Sequence, residues 1–186
     1  MKKKTLALLL SLVLVFGVVA GGTLAWLTAK SDVVTNTFTT SDIKVELKET
    51  TGTEYKMIPG YTISKNPKAT VLTGSEECYL FVKLEKSANF DNFMTYEIAA
   101  GWTELTGVEG VTGVYYRKVL SNEIGTEFNV LKDNQVTVKY TVTKANMNAL
   151  TTETYPTLTV TAYASQLHKN ATENFTAAEA WANANA

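Results

Sequence analysis

The sequence has one cysteine, one histidine and one arginine in 186 residues. Cys78 has no second cysteine to pair with, so no internal disulfide can staple the fold and a hydrophobic core must carry it. Any Ser-His-Asp or Cys-His site would have to use His168. That residue ends a predicted strand, 157–167, beside Lys169, where an exposed histidine is expected. No H-E-x-x-H occurs, which excludes the zincin motif, and an ordinary zinc site needs more His or Cys than this. No glycine-rich loop opens a helix and no EF-hand spacing is present. No basic stripe exists either, so nucleic acid is not an expected partner. Carboxylates could act in pairs, as in glycosidases, but nothing selects a pair. Glu76 and Glu77 are adjacent on a strand entry and point to opposite faces; Asp91, Glu97 and Glu104 are scattered. These absences lead to a non-enzymatic reading, with no cofactor, no metal and no catalytic residue.

The N-terminus, by contrast, is rich in signal. Lys2, Lys3 and Lys4 precede an apolar run from Leu6 to Ala20 broken only by Ser11 and Gly17. Gly21-Gly22-Thr23-Leu24-Ala25 then supplies small residues. This is the order of a Sec-type signal peptide, with cleavage expected after Ala25 to leave Trp26 as the new N-terminus, or after Ala29. The alternative is an uncleaved anchor, because Leu6 to Trp26 is about 21 residues and could just span a bilayer. The lysines stay inside in both cases, and the paired glycines favour cleavage. The chain therefore meets a membrane only through the uncleaved signal peptide, and meets a signal peptidase during export. A type IV pilin would carry a Glu at the head of this segment; Lys4-Thr5-Leu6-Ala7-Leu8-Leu9 has none.

Residues 26–186 make about one domain by length and can bury about two thirds of their unfolded surface. They hold 14 basic and 18 acidic residues, a mild negative balance that serves solubility. Threonine is abundant, at 29 residues in the whole chain, and joins Val, Ile, Tyr and Phe as a strand former. Apolar residues alternate with polar ones over 42–49, 136–143 and 158–164, while Tyr79–Leu84 is apolar on both faces, as a strand covered on both sides would be. Shorter strands are predicted over 55–58, 61–64, 68–73, 94–99 and 113–120. Pro59-Gly60 fits the centre of a type II turn, and Lys132-Asp133-Asn134 is one of several further breaks. Short helices are expected at 87–92, 144–150 and 176–181, the last with Thr176 as N-cap and Glu179 in capping-box position. The expectation is all-β: an antiparallel, jelly-roll-like β-sandwich with short peripheral helices, preceded by a signal peptide. Residues 1–25 are the signal peptide, 26–41 a mature N-terminal segment and 42–186 the sandwich. Within it, Cys78 reads as a small buried core residue. Trp102, Tyr115 and Tyr116 read either as core and corner fillers or as a carbohydrate-stacking surface. The sequons at Asn170 and Asn174 matter only in a eukaryotic secretory pathway.

Several of these segments also occur in a familiar order. The lysine-led signal ending in Gly21–Ala25, then Val34-Thr35-Asn36-Thr37-Phe38-Thr39 and the strand Ile43–Glu49, resembles the start of TasA/camelysin-type secreted proteins. Ile58-Pro59-Gly60 with Lys65-Asn66-Pro67 resembles that family's "PG…K-x-P" segment, and Cys78–Lys83 its entry into the central strand. Val160–Gln166 with Glu179-Ala180-Trp181 resembles its closing "A-x-A-x-Q…E-A-W" region. The likeness covers both ends and the first half of the chain. It implies a jelly-roll sandwich, processing by a SipW-type signal peptidase, and a structural role in extracellular biofilm-matrix fibres of Gram-positive bacteria. In fibre-forming relatives the mature N-terminal segment adds as a strand to the next subunit, which is β-augmentation. Carried over, that makes 26–41 the donor strand, with apolar Trp26, Leu27, Val33, Val34 and Phe38, and makes the partner another copy or a related matrix subunit. The location implied is the extracellular matrix or cell surface. The alternatives are a monomeric adhesin or carbohydrate-binding module, and a camelysin-like secreted protease.

Overall fold

The computed structural model describes residues 42–52 and 54–186. The expected signal peptide, its cleavage site at Ala25 and Trp26, and the donor-strand residues Leu27, Val33, Val34 and Phe38 lie outside the described residues.

Among the described residues, ten strands, three short α-helices and two single-turn 3-10 helices, Ser121–Glu123 and Lys132–Asn134, follow the chain. The strands are β1 Val45–Lys48, β2 Thr62–Ser64, β3 Lys68–Val71, β4 Cys78–Lys86, β5 Met94–Thr95, β6 Thr103–Glu104, β7 Val114–Val119, β8 Glu127–Asn129, β9 Gln135–Val138 and β10 Leu158–Gln166. The helices are α1 Phe90–Phe93, α2 Lys144–Asn148 and α3 Ala177–Ala184. The fold is all-β, with three antiparallel sheets in the orders β1-β3-β8, β10-β4-β7-β6 and β2-β9-β5.

One strand organises the packing. β4 alternates Cys78, Leu80, Val82 and Leu84 toward one cluster and Tyr79 and Phe81 toward another. The first cluster is the main core, where β4 meets Ala69 and Val71 of β3, Phe128 of β8, and Val136 and Val138 of β9. All three sheets thus close on one apolar interior, a sandwich-like arrangement. The second cluster lies on the opposite face, where α3 presses Ala180 and Trp181 onto the sheet. Trp181 packs edge-on against Tyr163 and tilted against Phe81, with ring centroids 5.1 and 5.4 Å away. An aromatic pair of this kind adds about 0.5–1.5 kcal/mol beyond its buried area. The helix is fixed at its start by a capping box: Thr176 Oγ1 accepts from the Glu179 amide at 3.2 Å, and Glu179 Oε2 accepts from the Thr176 amide at 2.8 Å.

The turns follow the side chains that make them. The Tyr61 amide donates to the Ile58 carbonyl at 3.0 Å across Pro59-Gly60, and Gly60 takes φ +79°, the type II geometry that proline and glycine favour. Before β9, Asp133 and Asn134 both take φ +54°, a conformation that Asp and Asn tolerate better than most residues.

Three expectations shift. The predicted strand 136–143 stops at Val138, because its neighbour β2 begins only after the Pro59-Gly60 turn; Gly60 and Tyr61 make the last hydrogen bonds to Val138. Tyr140, two residues on, is 85% exposed. The window 55–58 forms no strand, and 94–99 keeps only β5 plus an isolated bridge from Ile98 to Leu131. β6 and β8 arise where no alternation announced them, each held by a longer neighbour: β6 by β7 and β8 by β3.

Candidate functional site

The two nine-residue strands, β4 and β10, pair along their whole length, from Leu158 opposite Lys86 to Gln166 opposite Cys78. β4 has β7 on its other side; β10 is the sheet's edge. Among the described residues its outer backbone groups have no strand partner. Its sequence, Leu158-Thr159-Val160-Thr161-Ala162-Tyr163-Ala164-Ser165-Gln166, contains no charge, no proline and no glycine. Proteins commonly blunt sheet edges with charge, shortness, bulges or cover, because an open edge is a template for another strand. The other edges here follow that rule. β1 carries Glu46 and Lys48, paired at 2.8 Å, and β8 carries Glu127, paired with Lys68 at 2.7 Å. β2, β5 and β6 are two or three residues long. β10 alone is long and uncharged.

A groove of about 430 Å³ runs beside the end of this edge. Ala164, Ser165 and Gln166 of β10 form one wall, and Asp42 and Ile43, just ahead of β1, form part of the other. Asp42, the first described residue, thus stands at this groove. The sequence reading drew attention to the segment 26–41 but not to this edge; the signal that would have found the edge is the run of nine uncharged residues at 158–166.

His168, Glu77 and Cys78 are held in structural roles. His168 Nδ1 is 2.7 Å from Asn174 Oδ1, and Nε2 is 3.1 Å from Glu77 Oε2. The other oxygen of Glu77 accepts from the Ser121 amide at 3.0 Å. The Ser121 hydrogen bonds, with His168 behind them, hold the Glu77 carboxyl below its ordinary value. The order in space is serine, carboxylate, imidazole, so the carboxylate separates the ring from the hydroxyl it would need to activate. This cluster ties the end of β10 to the start of β4. Cys78 is fully buried, and burial pushes its thiol up to about 11, far from a reactive thiolate. No group of three or more His, Cys, Asp and Glu converges as metal ligands among the described residues. No helix among them is long and apolar enough to cross a membrane.

The structure divides the three aromatics that the sequence placed on one possible stacking surface. Tyr116 packs with Tyr79 and Phe81 on the helix-covered face, while Tyr115 and Trp102 lie against the main core. Trp102 Nε1 donates to the Asn129 carbonyl at 2.8 Å. The single arginine, Arg117, is sandwiched there, its guanidinium carbon 3.6 Å from the Phe128 ring centroid and 5.6 Å from that of Trp102. Gly101, at φ +88°, leaves it room, since a Cβ there would come within 3.2 Å of the guanidinium. Burial lowers the Arg117 pKa, opposed by Glu123 at 3.7 Å. Trp102 and Arg117 are thus structural partners of each other. No family model matches this chain, and no curated protein or solved structure matches it either.

Proposed function

We propose that the chain is a secreted, non-enzymatic structural protein, a subunit or accessory subunit of extracellular matrix fibres, assembled by adding its N-terminal strand to a neighbouring copy or a related subunit. The observation that carries the reading is β10, a nine-residue edge without charge, proline or glycine, flanked by a groove lined by Asp42, the residue that follows the segment 26–41 in the sequence. An edge of this kind gains a full ladder of backbone hydrogen bonds when a strand docks on it, and alternate side chains of that strand set its register. Trp26, Leu27, Val33, Val34 and Phe38 are the apolar positions of the donor. Export and cleavage after Ala25 would release that segment from the membrane and so gate assembly. Because donor and acceptor are different surfaces, each addition leaves a new free edge, and the contact propagates a filament rather than closing a dimer. The jelly-roll topology and the signal peptide belong to the same reading, which the resemblance to TasA/camelysin-type proteins supports.

Electron microscopy of two purified chains, 26–186 and 42–186, incubated at high concentration tests it. Fibres are expected from the longer chain alone. Folded, monomeric protein from both, or fibres from both, overturns donor-strand assembly.

A further inference from the structure

A second concavity, of about 620 Å³, opens at the other end of the four-stranded sheet, between the loop 105–113 and the rim of the main core. Its volume falls in the range of small-ligand sites, about 300–1,000 Å³. Tyr96 and Tyr115 both reach it with their rings packed on the main core, Tyr96 edge-on to Phe90 at 5.9 Å between centroids. Burial pushes the Tyr96 phenol up to about 12, and the negative charges around it add to this; burial raises Tyr115 as well, with Glu104 adding. Both hydroxyls are therefore protonated donors at neutral pH. Among the described residues neither hydroxyl has a protein hydrogen-bonding partner and neither is a buried, unsatisfied group, so both are open to donate to a ligand in the cleft. Glu104 sits directly opposite Tyr115 in the strand register and lines the same cleft. Among the described residues it makes no ion pair.

The charge in the cleft narrows the class of ligand. Lys83 is engaged by Glu85 at 2.8 Å and Lys86 by Asp91 at 2.6 Å. Both cations are thus spent, and Glu104 leaves a net negative balance. Phosphate, sulfate or an acidic polymer would find no free counter-charge. What remains on the main-core side is two neutral donors, one carboxylate acceptor and the apolar ring surfaces of the same two tyrosines, while Val111 and Trp181 line the helix-covered side of the cleft. That set matches a polyhydroxylated ligand, which offers several hydroxyl groups and an apolar C–H face without charge.

We infer that this cleft is a saccharide-binding site, taking a neutral or N-acetylated hexose through the hydroxyls of Tyr96 and Tyr115 and the carboxylate of Glu104. The phenols donate to ring hydroxyls or an acetamido carbonyl, and Glu104 accepts from a neighbouring hydroxyl. The inference stands apart from strand addition, since the cleft lies away from the β10 groove.

Saturation-transfer NMR on the full-length protein tests it, because the signal is read on the sugar and is the same for monomer and fibre. The probes are β-1,4-linked trisaccharides of glucose and of N-acetylglucosamine, with inorganic phosphate as the charged control. At least one sugar is expected to bind with a Kd of about 0.1–1 mM. Tyr96→Phe and Tyr115→Phe keep the ring packing and remove one hydroxyl each, so each is expected to weaken binding about threefold to tenfold, the worth of one net hydrogen bond. Glu104→Gln is expected to weaken it similarly. No transfer to either sugar, binding unchanged in the double phenylalanine variant, or capture of phosphate in place of sugar each overturns the site.

Discussion

β4 and β10 are equal in length, lie side by side and share every register position, yet they live in different environments. β4 has strands on both edges and apolar layers on both faces; Cys78 through Val82 are buried without a break. β10 has one free edge among the described residues, and apart from Ser165 its residues are half-buried or exposed. The sequences anticipate this: a continuous apolar run in β4, alternation with threonine in β10. The lesson is that a strand's face pattern encodes how many layers cover it, whereas nothing in the pattern encodes how many strands flank it. The flanks are where the proposed strand addition would act.

The largest expected effect comes from cutting into the centre of the comparison. Phe81→Ala is expected to cost about 3–5 kcal/mol, because the fully buried ring supports Trp181 and Tyr116. Its register partner, Tyr163→Ala, should cost only about 1–2 kcal/mol, since that ring is half-buried and loses chiefly its contact with Trp181. Urea unfolding of both variants measures the ratio, and equal losses would abolish the centre-versus-edge distinction. Thr176→Ala is expected to cost about 1 kcal/mol by removing the cap of α3, the helix that makes β4 a two-faced strand.

A smaller effect should follow from pH. The Thr176 amide hydrogen bond, joined by the Thr176 side chain, holds the Glu179 carboxyl below its ordinary value of 4.5. A carboxyl with a depressed folded-state pKa stabilises the fold above its ordinary value, and that stability is lost as pH falls through the lower, folded value. Glu179→Gln is therefore expected to flatten the acid limb of the stability profile; an unaltered limb removes Glu179 from that role. The smallest effect on stability belongs to the edge itself. Thr159→Lys, at an exposed position of β10, should change monomer stability by no more than about 0.5 kcal/mol while suppressing fibre growth. Normal fibres from this variant would move the acceptor away from β10.

Much of the fold was legible in the chain because short-range chemistry fixes it. Pro59-Gly60 makes its own turn, Thr176 and Glu179 make their own cap, and the alternation of Ile43, Val45 and Leu47 places all three against the core. β9 defied its pattern because a strand needs a neighbour as well as a period, and the neighbour turned away at Gly60. β6 and β8 exist for the converse reason, recruited by β7 and β3. The aromatics show the same limit: adjacent residues of a strand face opposite ways, so Tyr115 and Tyr116 were never going to share one surface, and only the packing showed that Trp102 belongs with Arg117.

The sequence by itself determined the class of fold, the buried character of Cys78, the turns and the capped helix, since each depends on a residue's own conformational preference or on its nearest neighbours. The tertiary structure decided the strand order, the edge position of β10 among the described residues and the meeting of Tyr96, Tyr115 and Glu104 in one cleft. Those depend on contacts between distant segments, whose free energies are set by how three sheets share one core and leave no trace in local periodicity.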